Sequence, residues 1–310
     1  MPARPITLIE APTNLGLQPP AAGAVPGVAA MPARLRVLGL ADRLGVGTTV
    51  QVPAPAYRPE IEAGIGVRNA AAIVKFSHDL AAAVGHALGA GRFPLVVGGD
   101  CTVLLGSALA LARRGRHGLL FLDGHQDLLT PVSSRSGGAA GMDLALVLGR
   151  GPASLTSLDG AAEGPLLRAE DVVMLGYRDD DAVYSDPAVQ PLRAAACRLN
   201  LAEVRAAGPG TAAARALAHL DDRGLAGCWL HLDVDVLDDR IMPAVDDRQP
   251  GGLSYDELAT LLDPLLGSGQ VVGMEVTVYD PTLDPGGRIG AELVAALVAA
   301  LRFRPAPAGG

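Results

Sequence analysis

The sequence has few aromatic residues and few cysteines. Aromatic residues make up 3% of its 310 residues while hydrophobic residues make up 49%, so we expect a core built mostly from Ala, Val and Leu. The three cysteines, Cys101, Cys197 and Cys228, are odd in number and far apart in the chain. This pattern indicates a reducing compartment rather than a disulfide scaffold.

The sequence also lacks an excess of basic residues and a long apolar run. Its net charge of −8 argues against nucleic acid as a partner, because phosphate binding needs a basic surface. No apolar stretch is long enough to span a bilayer, and the N-terminus shows no signature of a cleaved leader. We therefore expect a cytoplasmic protein that binds neither nucleic acid nor membranes.

Short apolar runs alternate with longer helical patterns along the chain. Several of the runs are apolar almost throughout, as is typical of strands covered on both faces by helices. We predict strands at 6–10, 48–52, 94–99, 118–123, 171–176, 196–200, 228–235 and 271–276, and helices at about 66–90, 102–114, 200–206, 211–223, 254–266 and 287–302.

This alternation predicts an α/β fold with a mainly parallel sheet and helices on both sides. Ser254 and Glu257 have the spacing of a capping box at the start of the 254–266 helix. The segment 130–165, rich in Gly and Ser, is expected to form an ordered surface loop plus a short helix. We expect a single domain over 1–310, with a Pro/Gly-rich loop at 11–33 and a C-terminal tail at 304–310.

Polar residues follow four of the predicted strands. Open parallel sheets place their chemistry just beyond the carboxyl ends of the strands, so these residues are candidates for a functional site. They are Asp100 and Cys101; Asp123, His125 and Asp127; Asp233, Asp235 and Asp238; and Glu275.

Taken singly, these residues have ordinary structural explanations. Asp100 could cap the following helix, and Cys101 could be a small buried hydrophobic residue. Asp123, His125 and Asp127 have the same parity, so a continuing strand would direct all three to one face.

Taken together, the acids and the imidazole indicate a metal site. Neighbouring buried carboxylates repel one another, and burying them without partners is costly. A divalent ion removes that cost. A pair of ions about 3.5–4 Å apart can share carboxylates and a bridging hydroxide.

Several motifs resemble those of the arginase/agmatinase (ureohydrolase) family, and the likeness covers nearly the whole chain. VVGGDCT, DGHQDLLTP, HLDVDVLDDRIMPAV, GGLSYDEL and MEVTVYDP occur in the order of the family motifs GGDHS, DAHxDxxTP, SxDxDxxDPxxxPA, GGLxxxE and EVNP. The resemblance implies a three-layer α/β/α fold on a central, mainly parallel sheet of about eight strands. It further implies a homo-oligomer, trimer or hexamer, that hydrolyses guanidino or related C–N groups with two Mn²⁺ ions.

The resemblance also implies roles for individual residues. Asp127 would hydrogen-bond the bridging hydroxide and receive its proton, and Glu275 would pair with the substrate guanidinium, a donor well matched to a carboxylate. The implied metal ligands are Asp123 and Asp233 as bridges, Cys101 and Asp127 for one ion, and His125 and Asp235 for the other.

Two departures from the family pattern concern the chemistry of the site. Cys101 stands where the family has its first histidine ligand, and a thiolate favours softer ions such as Zn²⁺ over Mn²⁺. Zn²⁺, or a single ion, therefore stays open. SGGAAGMD resembles the family loop SGNxHGMP, but Ala140 replaces the histidine thought to carry protons. His231 has the parity of Asp233 and is a candidate substitute; a histidine satisfied within the sheet is the alternative.

Two further departures concern the substrate. Leu129 and Gly138 occupy the positions of two asparagines that recognise an α-amino acid in arginases, and only Ser136 is kept. Plain L-arginine is therefore not the expected substrate.

In VDDRQPGG, Asp247 replaces a threonine and has Asp246 and Arg248 as neighbours. The acids could bind a second cationic end of the substrate, whereas Arg248 could contact a carboxylate. These two interpretations predict substrates whose second end carries opposite charge.

The leading functional hypothesis is a metal-dependent hydrolase that uses a bridging hydroxide on C–N bonds, other than peptide bonds, in linear amidines or guanidino compounds. The alternative is a catalytically weakened family member with a metal- or ligand-binding regulatory or structural role. Cys101 and Ala140 favour the alternative, while retention of Asp123, His125, Asp127, Asp233, Asp235 and Glu275 favours the enzyme.

Overall fold

A computed structural model describes residues 4–158, 160–161, 164–221 and 223–302. Within these residues it contains a strand in each of the eight predicted places. The strands are β1 (Ile6–Ala11), β2 (Thr48–Gln51), β3 (Phe93–Gly98), β4 (Gly118–Leu122), β5 (Val172–Leu175), β6 (Cys197–Leu199), β7 (Cys228–Asp233) and β8 (Val271–Thr277).

The eight strands form one sheet in the order β2-β1-β3-β8-β7-β4-β5-β6, and every neighbouring pair is parallel. The central strands β3, β8, β7 and β4 are buried along their whole length. The edge strand β2 is exposed throughout, which agrees with its threonine-rich sequence. The prediction of a mainly parallel α/β sheet is confirmed.

All six predicted helices are present. The helices are α1 (Met31–Val37), α2 (Leu40–Arg43), α3 (Ala70–Gly89), α4 (Val103–Ala112), α5 (Asp143–Val147), α6 (Ala153–Thr156), α7 (Gln190–Ala195), α8 (Leu201–Ala207), α9 (Pro209–Asp221), α10 (Tyr255–Gly267) and α11 (Arg288–Leu301). None of them, in the part of the chain described, is long and apolar enough to cross a membrane.

Several short helices differ from the prediction. The segment 130–165 holds two helices, α5 and α6, rather than one; α1 begins inside the predicted loop 11–33, and α7 was not predicted. Helices of four to seven residues are too short to be stable alone and form because the rest of the fold packs against them. The predicted tail at 304–310 lies outside the described residues.

The helices cover the sheet in two layers. Leu8 and Leu95 point into one hydrophobic cluster, with α1, α10 and α11. Their chain neighbours Ile9 and Val96 point into the other, with α3 and α4. This alternation follows from the two-residue period of a strand and produces the three-layer α/β/α arrangement.

The capping box predicted for α10 is present. Ser254 Oγ accepts the Glu257 N–H at 3.1 Å, and the Ser254 N–H donates to Glu257 Oε2 at 2.8 Å. The exchange satisfies two N–H groups at the start of α10.

Candidate metal centre and active-site cavity

The four central strands end at one edge of the sheet, and their polar residues meet there. The side chains form three groups in which the candidate ligand atoms lie within 4.8 Å of one another. All six predicted ligands belong to these groups, together with two further residues. The groups are Asp123, His125 and Asp235; Cys101, Asp123, His231 and Asp233; and Cys101, Asp127 and Asp143.

The group around His125 is held together by internal hydrogen bonds. His125 Nδ1 lies 2.8 Å from Asp235 Oδ2, Asp235 Oδ1 accepts the Gly124 N–H at 2.9 Å, and Asp123 Oδ1 accepts the His125 N–H at 2.6 Å. Burial disfavours charge on both side chains, yet their attraction raises the pKa of His125 and lowers that of Asp235. In the absence of metal the two form an ion pair.

The group around His231 leaves two buried atoms without partners. The Cys101 thiol donates to Asp233 Oδ2 at 2.8 Å, and burial followed by the Asp233 charge raises the pKa of that thiol well above its usual range. His231 Nε2 and Asp123 Oδ2 lie 3.9 Å apart, and neither has a hydrogen-bond partner.

The third group contains Asp143, which the sequence interpretation missed. Its side chain is 0% exposed, and neither carboxylate oxygen has a partner of normal hydrogen-bond geometry, although the Leu144 N–H is close enough to favour the ionised form. Burial, then the charges of Asp123 and Glu275, raise the pKa of Asp143 well above its usual range. A signal was present, because Asp143 occupies the proline position of the motif SGNxHGMP.

The residues after β4 do not continue the strand as the parity argument assumed. β4 ends at Leu122, and Asp127 has a left-handed backbone with φ of 45°. Asp127 consequently falls in a different group from Asp123 and His125. The Ala145 N–H donates to the Asp127 carbonyl oxygen at 3.2 Å, and this bond brings α5 and Asp143 beside Asp127.

These groups fit divalent cations. Burial raises the pKa of Asp123 to about 6 and the pKa values of Asp127 and Asp233 further above their usual range, so a nearby positive charge would stabilise their ionised forms. The carboxylates suit Mn²⁺, and the thiol and imidazoles suit Zn²⁺. The unpartnered oxygens of Asp123 and Asp143 supply free ligand positions.

A cavity of about 900 Å³ opens above the three groups. The buried residues of its lining form its deep part, and its exposed residues, including Asp246 and Asp247, form its outer part; His125, Leu129 and Ser136 are intermediate in exposure. The deep part includes Cys101, Asp127, Gly138, Ala140, Asp233 and Asp235. Ser136 and Asp247, two of the predicted substrate contacts, both line this cavity, and their role stays a prediction.

Asp123 and three further predicted site residues do not line this cavity. Arg248 is exposed, and its Nη2 lies 3.3 Å from Asp239 Oδ2. Glu275 and His231 are fully buried, His231 as a member of a ligand group and Glu275 bonded to its ring. The roles that the sequence interpretation gave to these three stay predictions.

Arg178 is a cavity residue that sequence reasoning missed. Its Nη2 donates to the backbone oxygens of Asp235 at 2.8 Å, Gln249 at 2.9 Å and Leu237 at 3.3 Å. A Cβ atom at Gly124 would lie 2.6 Å from Arg178 Nη1. Gly124, where the family motif has alanine, thus makes room for an arginine that ties the loop after β7 to the loop around Gln249.

Two acids near the site have structural roles. Asp100 accepts the Thr102 N–H at 2.9 Å and the Thr13 hydroxyl at 3.1 Å, so it fastens the turn that leads into α4. Asp238 accepts the N–H groups of Arg240 at 3.0 Å and Gly251 at 2.6 Å. Neither belongs to a ligand group.

The chain is similar to known proteins over nearly its full length. The Arginase family model matches residues 11–303. The arginase of Bacillus caldovelox is 30% identical over 300 residues, covering 94% of this chain and 96% of that protein. Its crystal structure superposes with a TM-score of 0.84 at 29% identity, over 97% and 98% of the two chains. The formimidoylglutamase of Bacillus subtilis shares the fold at 19% identity, with a TM-score of 0.73 over 98% and 88% of the chains.

Proposed function

The chain belongs to the arginase family, and from that premise we propose that it is a metal-dependent hydrolase of a C–N bond in a linear amidine or guanidino compound. The observation that carries the proposal is the set of buried ligand groups at the base of an open cavity. A site that keeps so many charges together gains stability from bound cations, and an open cavity gives a small molecule access to them.

The proposed ion ligands are Cys101, Asp123, His125, Asp127, Asp233 and Asp235. Bound divalent ions would supply Lewis acidity, which a poorly electrophilic guanidinium carbon requires at neutral pH. Asp127 is the proposed proton acceptor, because it lies in the deep part of the cavity and its raised pKa favours holding a proton. Its left-handed backbone fixes the carboxylate in that position.

We further propose that the substrate carries a second cationic group instead of an α-amino acid end. Leu129 and Gly138 offer no side-chain hydrogen bond to an α-carboxylate, whereas Asp246 and Asp247 place two acids in the outer cavity. Arg248 is engaged by Asp239 on the surface, which favours the interpretation based on the acids. A linear guanidino-amine has matching charges at both ends.

Manganese as the bound ion, assembly into trimers or hexamers, and a cytoplasmic location stay predictions.

The experiment is a substrate panel on protein loaded separately with Mn²⁺, Zn²⁺ and Co²⁺. The panel contains guanidino-amines of graded chain length, L-arginine, guanidino acids and formimino compounds, with release of urea, amine or ammonia as the readout. We expect the highest kcat/KM for a guanidino-amine and loss of turnover in Asp127→Asn. Tight metal binding without turnover of any compound would instead support the weakened, ligand-binding alternative.

A further inference from the structure

His231 belongs to the ligand group of Cys101, Asp123 and Asp233, and its Nε2 has no hydrogen-bond partner. We propose that His231 Nε2 is a direct ligand of the ion beside Cys101, supplying the imidazole that position 101 lacks. The inference rests on the metal dependence of the proposed function and assigns a ligand outside the set implied by the family motifs.

The distances around Nε2 suit a metal ligand better than a hydrogen bond. Nε2 lies 3.9 Å from Asp123 Oδ2, too far for hydrogen bonding. Ligand bonds of about 2.0–2.2 Å each, the values for Zn²⁺, can span that separation. The nearby ligand atoms of Cys101 and Asp233 complete a four-residue buried group.

The ring is held in the orientation that a ligand needs. His231 Nδ1 donates to Glu275 Oε1 at 2.8 Å, and Glu275 Oε2 accepts the Ser107 hydroxyl at 2.6 Å. Phe121 stacks on the imidazole with ring centroids 4.7 Å apart. A carboxylate on one ring nitrogen fixes the tautomer and leaves the lone pair on the other nitrogen for the metal.

This arrangement explains an otherwise costly buried atom. His231 is 0% exposed, and its Nε2 has no hydrogen-bond partner. A histidine that only filled the sheet would leave this nitrogen unsatisfied, which disfavours the folded state. An ion at Nε2 removes that cost and gives Glu275 the role of positioning His231.

Comparison with the family motifs shows that this chain has a histidine and a small side chain exchanged between two positions. The family motifs GGDHS and SxDxD have histidine at the position of Cys101 and serine at the position of His231. In this chain the imidazole is on β7 and the small side chain follows β3. A double substitution can therefore return the imidazole to position 101 and test whether one replaces the other.

The test compares wild type, His231→Ser, Cys101→His and the double variant. Bound Mn²⁺ and Zn²⁺ are counted by elemental analysis, affinities are measured by chelator competition, and the Co²⁺ forms are compared by absorption spectroscopy. We expect His231→Ser to weaken one ion at least tenfold, given that even residues contacting ligands contribute about 10–100-fold. The other ion should be retained, and adding Cys101→His should restore the lost affinity to within about threefold.

His117→Ser is the matched control, since His117 is also buried, its ring bonds backbone groups at Gly115 and Leu111, and it belongs to none of the ligand groups. It should leave both ion affinities unchanged. Wild-type ion binding in His231→Ser, or an equal loss in the double variant, would overturn the proposal. Because bound metal is counted without substrate, a lack of turnover would contradict the proposed hydrolase activity and not the proposal that His231 is a metal ligand.

Discussion

The metal centre has two halves that differ in how their polar atoms are satisfied. In the His125 half (Asp123, His125 and Asp235), Asp235 and the His125 ring pair with each other. In the Cys101 half (Cys101, Asp127, Asp143, His231 and Asp233), both oxygens of Asp143 and the Nε2 of His231 have no partner, nor does the Asp123 oxygen that faces it. Apart from the Asp123 oxygen that faces the Cys101 half, the polar atoms of the first half are paired within the protein, whereas several of the second half are not.

The departures from the family motifs at candidate ligand positions follow the same division, although Gly124 and Asp247 depart from the motifs beside the His125 half. Cys101, Ala140, Asp143 and His231 all lie in or next to the Cys101 half, whereas His125 and Asp235 keep the family pattern. Unpaired buried groups are costly, so a group without a partner in the protein indicates a partner from outside it. This division supports the proposal that the Cys101 half binds its ion with ligands other than those of the family motifs.

The largest expected effect comes from the residue that joins the two halves. Asp123 Oδ1 accepts the His125 N–H, while its Oδ2 faces His231. Asp123→Asn removes the charge from both halves, so both ions should lose affinity at least about a hundredfold, above the outer-shell range. Elemental analysis after desalting measures the loss, with Asp171→Asn, a buried acid paired with Arg116, as the control. Loss of one ion alone would show that the halves are independent.

An effect of intermediate size on stability is expected for Asp143→Asn, with opposite signs in metal-free and metal-loaded protein. In metal-free protein Asp143→Asn should raise the free energy of unfolding by about 1 kcal/mol, because burial raises the pKa of Asp143 and so disfavours the ionised form that the unfolded chain carries at neutral pH. In metal-loaded protein it should reduce the stabilisation that the ions provide. Urea unfolding with a chelator and with added Mn²⁺ or Zn²⁺ measures both signs. Lower stability under both conditions would mean that Asp143 only supports packing.

The smallest effect is expected at the outer edge of the His125 half. The Asp247 side chain is 71% exposed, and its Oδ2 lies 3.3 Å from His125 Nε2. Exposed charge pairs contribute about 0.2–1 kcal/mol, so Asp247→Asn should raise KM for a guanidino-amine about 1.4- to 5-fold with little change in kcat. Arg248→Ala is the comparison and should change KM less than Asp247→Asn. A larger effect of Arg248→Ala would favour a substrate carboxylate.

Much of the fold was predictable because each strand is marked locally. Runs such as GLLFLD and CWLHLD are apolar on both faces, which only strands buried between helical layers require. The short helices α5, α6 and α7 were predicted poorly, because a helix of only a few residues has little intrinsic stability and leaves a weak sequence signal. Packing against other parts of the chain determines whether these short helices form.

Most of the candidate site was also predictable from the sequence. The acids and His125 follow strands whose carboxyl ends meet at one sheet edge, so topology alone brings them together. Asp143 was not predicted because it comes from a loop, and its burial depends on the backbone bond from Ala145 to Asp127. Arg178 was not predicted because its partners are backbone oxygens, which have no sequence signature.

The sequence by itself determined the family, the strands that the polar site residues follow and the identity of most candidate ligands. Those properties depend on residue types at fixed spacings. Only the tertiary structure divided the ligands into a half that is paired and a half that is not. The reason is that a hydrogen-bond partner is a matter of distance: Glu275 and His231 are 44 residues apart in sequence and 2.8 Å apart across two strands.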